Sequence, residues 1–335
     1  MTEQITFITT LLSVYAIAVT AILIFKNGLA KNQAVVLGLF VISLISYLLM
    51  SQKSHPYLFE VLVSGAFLLP FSFWKLSKMI FSDDDQSPGR LGIEAVVVLA
   101  YYHGMIQLST NEAILPYTLL LVKITSISFL ALSIVESQRG KKDDLVKSRL
   151  KLRKTFVYFI AITGLITILT ETSLATTEML TLKMVQRIAI LLFSSYFLIV
   201  NAAWKEGFLG KKVKPVKVLH QNLINAIQEL MLDQKFYKQE GLTIGQLAEK
   251  LNEQEYKLRS VINQEMGYRN FPAFVNSFRI AEARELLLVK GKDKLTVQEI
   301  AFETGFNSIG PFNRAFKAET NLTPKAFRDQ SSVQS

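Results

Sequence analysis

The sequence predicts an all-α chain in two parts, a seven-helix transmembrane domain followed by a domain built from two helix-turn-helix units. Three observations predict it. Half of the 335 residues are hydrophobic, mean hydropathy is +0.30, and the apolar excess lies before Trp204. Along that half, basic residues crowd into alternate loops. In the last quarter of the chain, one helix-turn-helix spacing occurs twice.

The first apolar stretch, 5–25, carries no charged residue and is long enough to cross a bilayer. Six more follow, at 33–50, 57–74, 91–108, 113–135, 155–170 and 184–204. Seven spans place the two ends of the chain on opposite sides. With the N-terminus outside, the inner loops carry 13 basic residues: Lys26, Lys31, Lys75, Lys78, Arg90, Arg139, Lys141, Lys142, Lys147, Arg149, Lys151, Arg153 and Lys154. The outer loops carry only Lys53 and Lys183. Basic loops stay in the cytoplasm. The expectation is a multi-pass protein of a bacterial inner (cytoplasmic) membrane, N-terminus outside, with everything after Trp204 in the cytoplasm. The opening MTEQ has no basic stretch, so 5–25 reads as a span rather than a signal peptide. The outer loops at 51–56, 109–112 and 171–183 are too short for a folded sensor domain. A signal would be read within the membrane, at its outer surface or by a partner, and the sequence does not name it.

Ionisable residues inside the spans are Glu60, Glu94, His103, Lys123 and Arg187. Charge in lipid is costly and marks function or pairing. Glu60 and Arg187 lie near span ends, where they reach headgroups. Glu94, His103 and Lys123 form the candidate intramembrane signal site. The plainer alternative is a Lys123 pair with Glu94 or a neighbour that fixes helix packing.

Composition excludes several classes. With no cysteine there is no disulfide, thiol sensor or cysteine-held metal. The three histidines lack metal-ligand spacing. No Gly-rich phosphate loop or Ser-centred elbow is present. Neither enzymatic activity nor a cofactor is expected. The net charge of +10 divides evenly between 1–204 and 205–335. In the C-terminal part it favours phosphate contact only modestly.

The domain boundaries expected are 1–204 for the membrane domain, 205–240 for a cytoplasmic linker and helix, and 241–330 for the C-terminal domain. The linker begins with basic GKKVKPVK at 210–217. A helix follows at 218–240, with Leu219, Leu223, Ile224, Ile227, Leu230 and Met231 on one face. That stripe packs on the C-terminal domain or forms a homodimer contact.

The stretch 296–328, TVQEIAFETGFNSIGPFNRAFKAETNLTPKAFR, organises the C-terminal domain. Ile300 and Ala301 face inward on its first helix, and Gly305 supplies a left-handed turn. Pro311 is tolerated at a helix start, and Phe312, Ala315 and Phe316 form the buried stripe of the second helix. An earlier copy runs LTIGQLAEKLNEQEYKLRSVINQEMG. There Ala248 and Asn252 stand for Ala301 and Gly305, while Leu258, Val261 and Ile262 repeat the stripe. A helix over 271–289 joins the copies, with Ala281, Ala283, Leu286 and Leu287 available for burial.

This ordered pair, with the GF turn, FNRAFK, LTP and the later FR, resembles the AraC/XylS family of transcription regulators. The resemblance covers 242–328. It implies a DNA-binding regulator, usually an activator, that places two recognition helices in adjacent major-groove segments of promoter DNA and works with RNA polymerase. Most such proteins carry a soluble effector domain, and a membrane domain in its place looks like a membrane-anchored subgroup. DNA contacts are expected from the outward faces: Tyr256, Lys257, Arg259, Ser260 and Asn263 in the first unit, and Asn307, Ser308, Asn313, Arg314 and Lys317 in the second. Arg holds guanine and Asn holds adenine bidentately, while Lys meets phosphate. Three departures from the pattern stand out. Ser260 sits where Arg is usual, Ile309–Gly310–Pro311 replaces a polar opening, and Glu253 occupies a commonly apolar turn position. A competing reading is a membrane receptor or transporter-like protein whose tail is a protein-interaction adaptor. A third is proteolytic release of the tail at the linker.

Overall fold

The structure, a computed structural model, describes residues 2–26, 31–50, 56–82, 88–172, 185–190, 192–193, 196, 220–289 and 295–333. Among them, regular secondary structure is helical except for one isolated antiparallel bridge between Asp144 and Asn270. The chain divides into two compact units. One comprises 1–141 and 148–211; the other comprises 142–147 and 212–335.

The first unit contains α1 (Thr2–Lys26), α2 (Lys31–Met50), α3 (Pro56–Phe67), α4 (Leu69–Phe81), α5 (Pro88–Leu108), α6 (Leu115–Gln138) and α7 (Lys147–Thr172). Among the described residues, Asn32–Leu49, Arg90–Leu108 and Leu115–Gln138 are long and apolar enough to cross a membrane by length and composition. That is three such helices where the sequence suggests seven spans. One difference has a clear cause. The expected single span at 57–74 is broken into α3 and α4 at Leu68, with Pro70 in the first turn of α4. Proline removes a backbone donor and crowds the preceding turn, so a helix stops ahead of it. Helix α4 then runs on to Phe81, which makes Lys75 and Lys78 helical residues rather than loop residues. Residues 173–184 lie outside the described residues, as does most of the span expected at 184–204.

Aromatic packing fills this unit. Phe73 stacks on Phe156 at 4.9 Å, and Phe71 meets Phe129 edge-on at 5.7 Å. Two basic residues assigned to a loop are interior. Arg149 and Arg153 are both buried. The Arg153 guanidinium donates to the carbonyls of Ser137 (2.6 Å), Arg139 (2.9 Å) and Phe81 (3.1 Å). Those carbonyls belong to the C-terminal ends of α6 and α4. They lack helical partners and carry the negative end of the helix dipole, so a planar five-donor cation suits them.

The second unit begins with α8 (Gln221–Leu232), shorter than the 218–240 expected. Leu223, Ile224, Ile227, Leu230 and Met231 are buried in a core with Leu247, Leu258, Val261, Ile262, Phe271 and Phe274. The stripe is thus occupied as ordinary core. Leu219 lies outside the described residues. A 3-10 turn at Phe236–Lys238 leads to α9 (Ile244–Lys250). Helix α10 (Glu255–Ser260) continues into a π turn over Val261–Glu265. Then come α11 (Phe271–Leu288), α12 (Val297–Glu303), α13 (Ile309–Thr320) and α14 (Pro324–Val333).

Helix α11 joins two cores. Asn270 caps it by accepting from the Ala273 N–H at 2.8 Å. Its first turns give Phe271, Phe274 and Val275 to the first core. Its last turns give Ile280, Ala283 and Leu287 to a second core with Ile300, Ala301, Phe306, Phe312 and Phe316. Ala281, expected to be buried, is exposed, because the helix turns its Ile280–Ala283–Leu287 stripe inward instead. The segment 142–147 belongs to the first core through Leu145, which is 1 % exposed. Burying such a side chain contributes about 1.5–3 kcal/mol.

Candidate nucleic-acid interface

Both helix-turn-helix units are built on one local plan. Thr243 and Thr296 each head a capping box, with Gln246 and Glu299 reaching back to the cap backbone. Each first helix then ends in a Schellman motif. In the first unit, Glu253 N–H donates to Ala248 O (2.9 Å) and Asn252 N–H to Glu249 O (3.1 Å). In the second, Phe306 N–H donates to Ala301 O and Gly305 N–H to Phe302 O, both at 2.9 Å. The left-handed residues are Asn252 (φ 51°) and Gly305 (φ 90°), as the sequence alignment of the two copies predicts. Glycine is required at 305 for a second reason. A Cβ there would lie 2.6 Å from the carbonyl oxygen of Lys238.

That backbone approach is held by Arg279 on α11. Its guanidinium is buried and donates to Tyr237 O (2.7 Å) and Gln239 O (2.8 Å), facing Phe306 at 5.2 Å. Burial pulls the Arg279 pKa below the usual arginine value. Around it, Glu282 accepts from Lys235 (2.8 Å) and pairs with Lys238 (3.1 Å), which also meets Glu303 (3.0 Å). Burial raises the Glu282 pKa, but these two ammonium groups outweigh it and hold the carboxyl below its ordinary value. The sequence reading missed Arg279, because a buried arginine inside an amphipathic stripe gives no signal of its own.

The outward faces differ. In the second unit Asn307, Ser308, Asn313, Arg314 and Lys317 are all exposed. Among the described residues, no side-chain hydrogen bond or ion pair engages any of the five. They occupy the turn and the outer side of α13, opposite Phe312 and Phe316. Helix α13 starts at Ile309, so Pro311 falls at the third helical position, still within the turn whose N–H groups lack partners.

In the first unit Tyr256 is 66 % exposed. Lys257 pairs with Glu253 at 2.7 Å, which explains the acidic turn residue and draws the Glu253 pKa down. Ser260 donates to Gln264 Oε1 at 3.0 Å. Arg259 is held on several sides. Its Nη1 donates to Asp144 O (2.9 Å), its Nη2 to Lys142 O (2.6 Å), and its Nε to Glu255 Oε1 (2.9 Å). Asn263 corrects the outward assignment. It is 4 % exposed, and its Nδ2 donates to Tyr268 O at 2.9 Å. The π turn over Val261–Glu265 changes the angular step per residue, so a 3.6-residue period misplaces position 263.

The intramembrane candidates lie on α5 and α6. Glu94 is half-buried and pairs with Lys75 of α4 and with Arg90 at 3.2 Å. Lys75 also lies 4.4 Å over the Trp74 ring. His103 is exposed and Lys123 is half-buried. Glu94 thus pairs with Lys75 and Arg90. The sequence reading missed Lys75 by assigning it to a loop.

A family model described as a helix-turn-helix domain matches residues 247–330. Those residues are thus a helix-turn-helix domain by sequence as well as by geometry. The domain is similar to the probable transcription factor PqrA of Proteus vulgaris, 27 % identical over 113 residues, covering 34 % of this chain and 88 % of that protein. It is also similar to an uncharacterized HTH-type transcriptional regulator of Staphylococcus aureus strain MSSA476, 28 % identical over 111 residues and 33 % of this chain. A counterpart in strain COL matches to the same extent. The chain spans only 14 % of the length of these staphylococcal relatives. No solved structure matches the chain.

Proposed function

We propose that this chain is a membrane-embedded, sequence-specific transcription regulator that acts on promoter DNA from the cytoplasmic membrane. The observation that carries the reading is the pair of identically capped helix-turn-helix units on one helix, α11, with Asn313, Arg314 and Lys317 presented outward from the second. A short helix exposed this way enters the major groove, and α11 fixes the spacing between two such entries. The helix-turn-helix match and the relatives named as transcription regulators support the same reading.

The membrane assignment rests on the three long apolar helices, on exposed Ile93, Val96, Val97, Leu120 and Ile124 along α5 and α6, and on the one-sided distribution of basic residues. Exposed apolar stretches of that length suit lipid tails. In this reading 1–204 is a seven-span sensor domain with its N-terminus outside, 205–240 is linker and helix, and 241–330 reads DNA in the cytoplasm. Glu94, His103 and Lys123 remain the proposed signal region. Activation through RNA polymerase follows from the AraC resemblance.

The test is selection from a random double-stranded DNA library by the full chain in lipid nanodiscs, followed by footprinting. The reading predicts one enriched sequence and protection of two adjacent major-groove segments on one face. Enrichment of no sequence would move the protein-interaction adaptor to the front.

A further inference from the structure

Residues 142–147 form a strap across the first helix-turn-helix unit. Two backbone hydrogen bonds flank the Asp144–Asn270 bridge: Leu145 N–H to Arg269 O at 3.1 Å, and Phe271 N–H to Asp143 O at 3.0 Å. Leu145 is anchored in the first core. Asp144 is buried and accepts from the Val146 N–H at 3.1 Å. The strap carbonyls of Lys142 and Asp144 take the Arg259 guanidinium, and Glu255 completes its shell. The Arg259 side chain is left 18 % exposed.

We propose that the strap is an autoinhibitory contact, in which strap docking and DNA reading by Arg259 exclude each other. The inference rests on the regulatory reading above, with Arg259 as a DNA contact. A guanidinium bonded to both strap carbonyls cannot present its two outer nitrogens to guanine, because bidentate reading uses those same donors. Among the described residues the second unit has no counterpart to the strap, and Arg314 stands exposed. In sequence the strap links α6 to α7, and Arg153 of α7 ties the ends of α6 and α4 together. The strap is thus continuous in the chain with both α6 and α7. A signal read within the membrane half could act on DNA binding by this route without releasing the tail.

A cysteine-free chain allows a clean test. The Asp144–Asn270 pair lies between its two flanking bonds, the arrangement with Cα atoms about 4.5 Å apart, within disulfide reach. The double variant D144C/N270C, purified full-length in nanodiscs, is compared with itself oxidised and reduced. The probe is the DNA selected by the reduced form. We expect oxidation to lock the strap and weaken DNA binding at least tenfold, with the footprint shrinking to the second unit's segment. Reduction restores both. Adding R259A weakens binding by the reduced form and changes nothing in the oxidised form. Equal affinity in both redox states, or tighter binding when oxidised, overturns the proposal while leaving the regulatory reading intact. Failure of the reduced form to select any sequence brings down the regulatory reading and the strap proposal with it.

Discussion

In the first helix-turn-helix unit Lys257, Arg259 and Ser260 are each engaged by neighbours, whereas in the second Asn313, Arg314 and Lys317 face solvent with no side-chain partner among the described residues. The interiors do not differ in this way. Leu258, Val261 and Ile262 fill the first core as Phe312 and Phe316 fill the second, and the turns carry the same pair of capping hydrogen bonds. Inner faces follow from local periodicity. The state of an outer face depends on whatever else the chain brings to it.

That comparison can be broken first at the shared interior. Phe312→Ala and Leu258→Ala each remove a fully buried side chain and should cost about 3–5 and 2–5 kcal/mol respectively. Thermal unfolding of the full chain in detergent, followed by circular dichroism, reads both. Comparable losses support equivalent cores, and a loss confined to one unit would show that only that unit is tightly packed.

The turns should separate next. Gly305→Ala combines a positive φ with a Cβ that meets the Lys238 backbone, and should cost about 2–4 kcal/mol. Asn252→Gly in the equivalent turn should shift stability by no more than about 0.5 kcal/mol. The same melting experiment decides. An Ala at 305 that melts like the parent would mean the Lys238 approach is relaxed in solution.

On the outer faces, Arg314→Ala should weaken binding to the selected DNA by about 1–3 kcal/mol if it reads a base. Lys317→Ala should weaken binding evenly across sequences and lower the salt slope by about 1. Fluorescence anisotropy at several salt concentrations separates these outcomes, and unchanged affinity for R314A would remove it from the interface.

The smallest effect concerns Glu282, which holds Lys235 and Lys238 beside the second turn. Its folded pKa lies below the unfolded carboxylate value, so its contribution is complete above about pH 4.3 and fades as pH falls through the folded value. Glu282→Gln should lower stability at neutral pH by about 0–1 kcal/mol and flatten the acid limb. A parent and variant with the same acid limb would deny Glu282 any part in it.

What could be read from the sequence was what depends on near neighbours. Ala248 and Ala301 before a left-handed residue, the repeated stripe and the linking helix are all set within a few turns of chain. Asn263 was misread because a π turn breaks the 3.6-residue period that placed it. The split at Leu68 was announced by Pro70 but masked by continuous hydrophobicity. Arg153 counts as a loop charge in any topology argument, yet it caps two helices. The Arg259 contacts bridge up to 117 residues of sequence, and nothing local to either partner signals them.

The central claim is regulation of promoters from the membrane. The most direct test is genome-wide crosslinking of the intact chain, alongside a fragment beginning near Lys205. The account predicts that the intact chain occupies discrete promoters. Occupancy by the fragment alone would contradict action from the membrane, and occupancy by neither would contradict DNA binding itself.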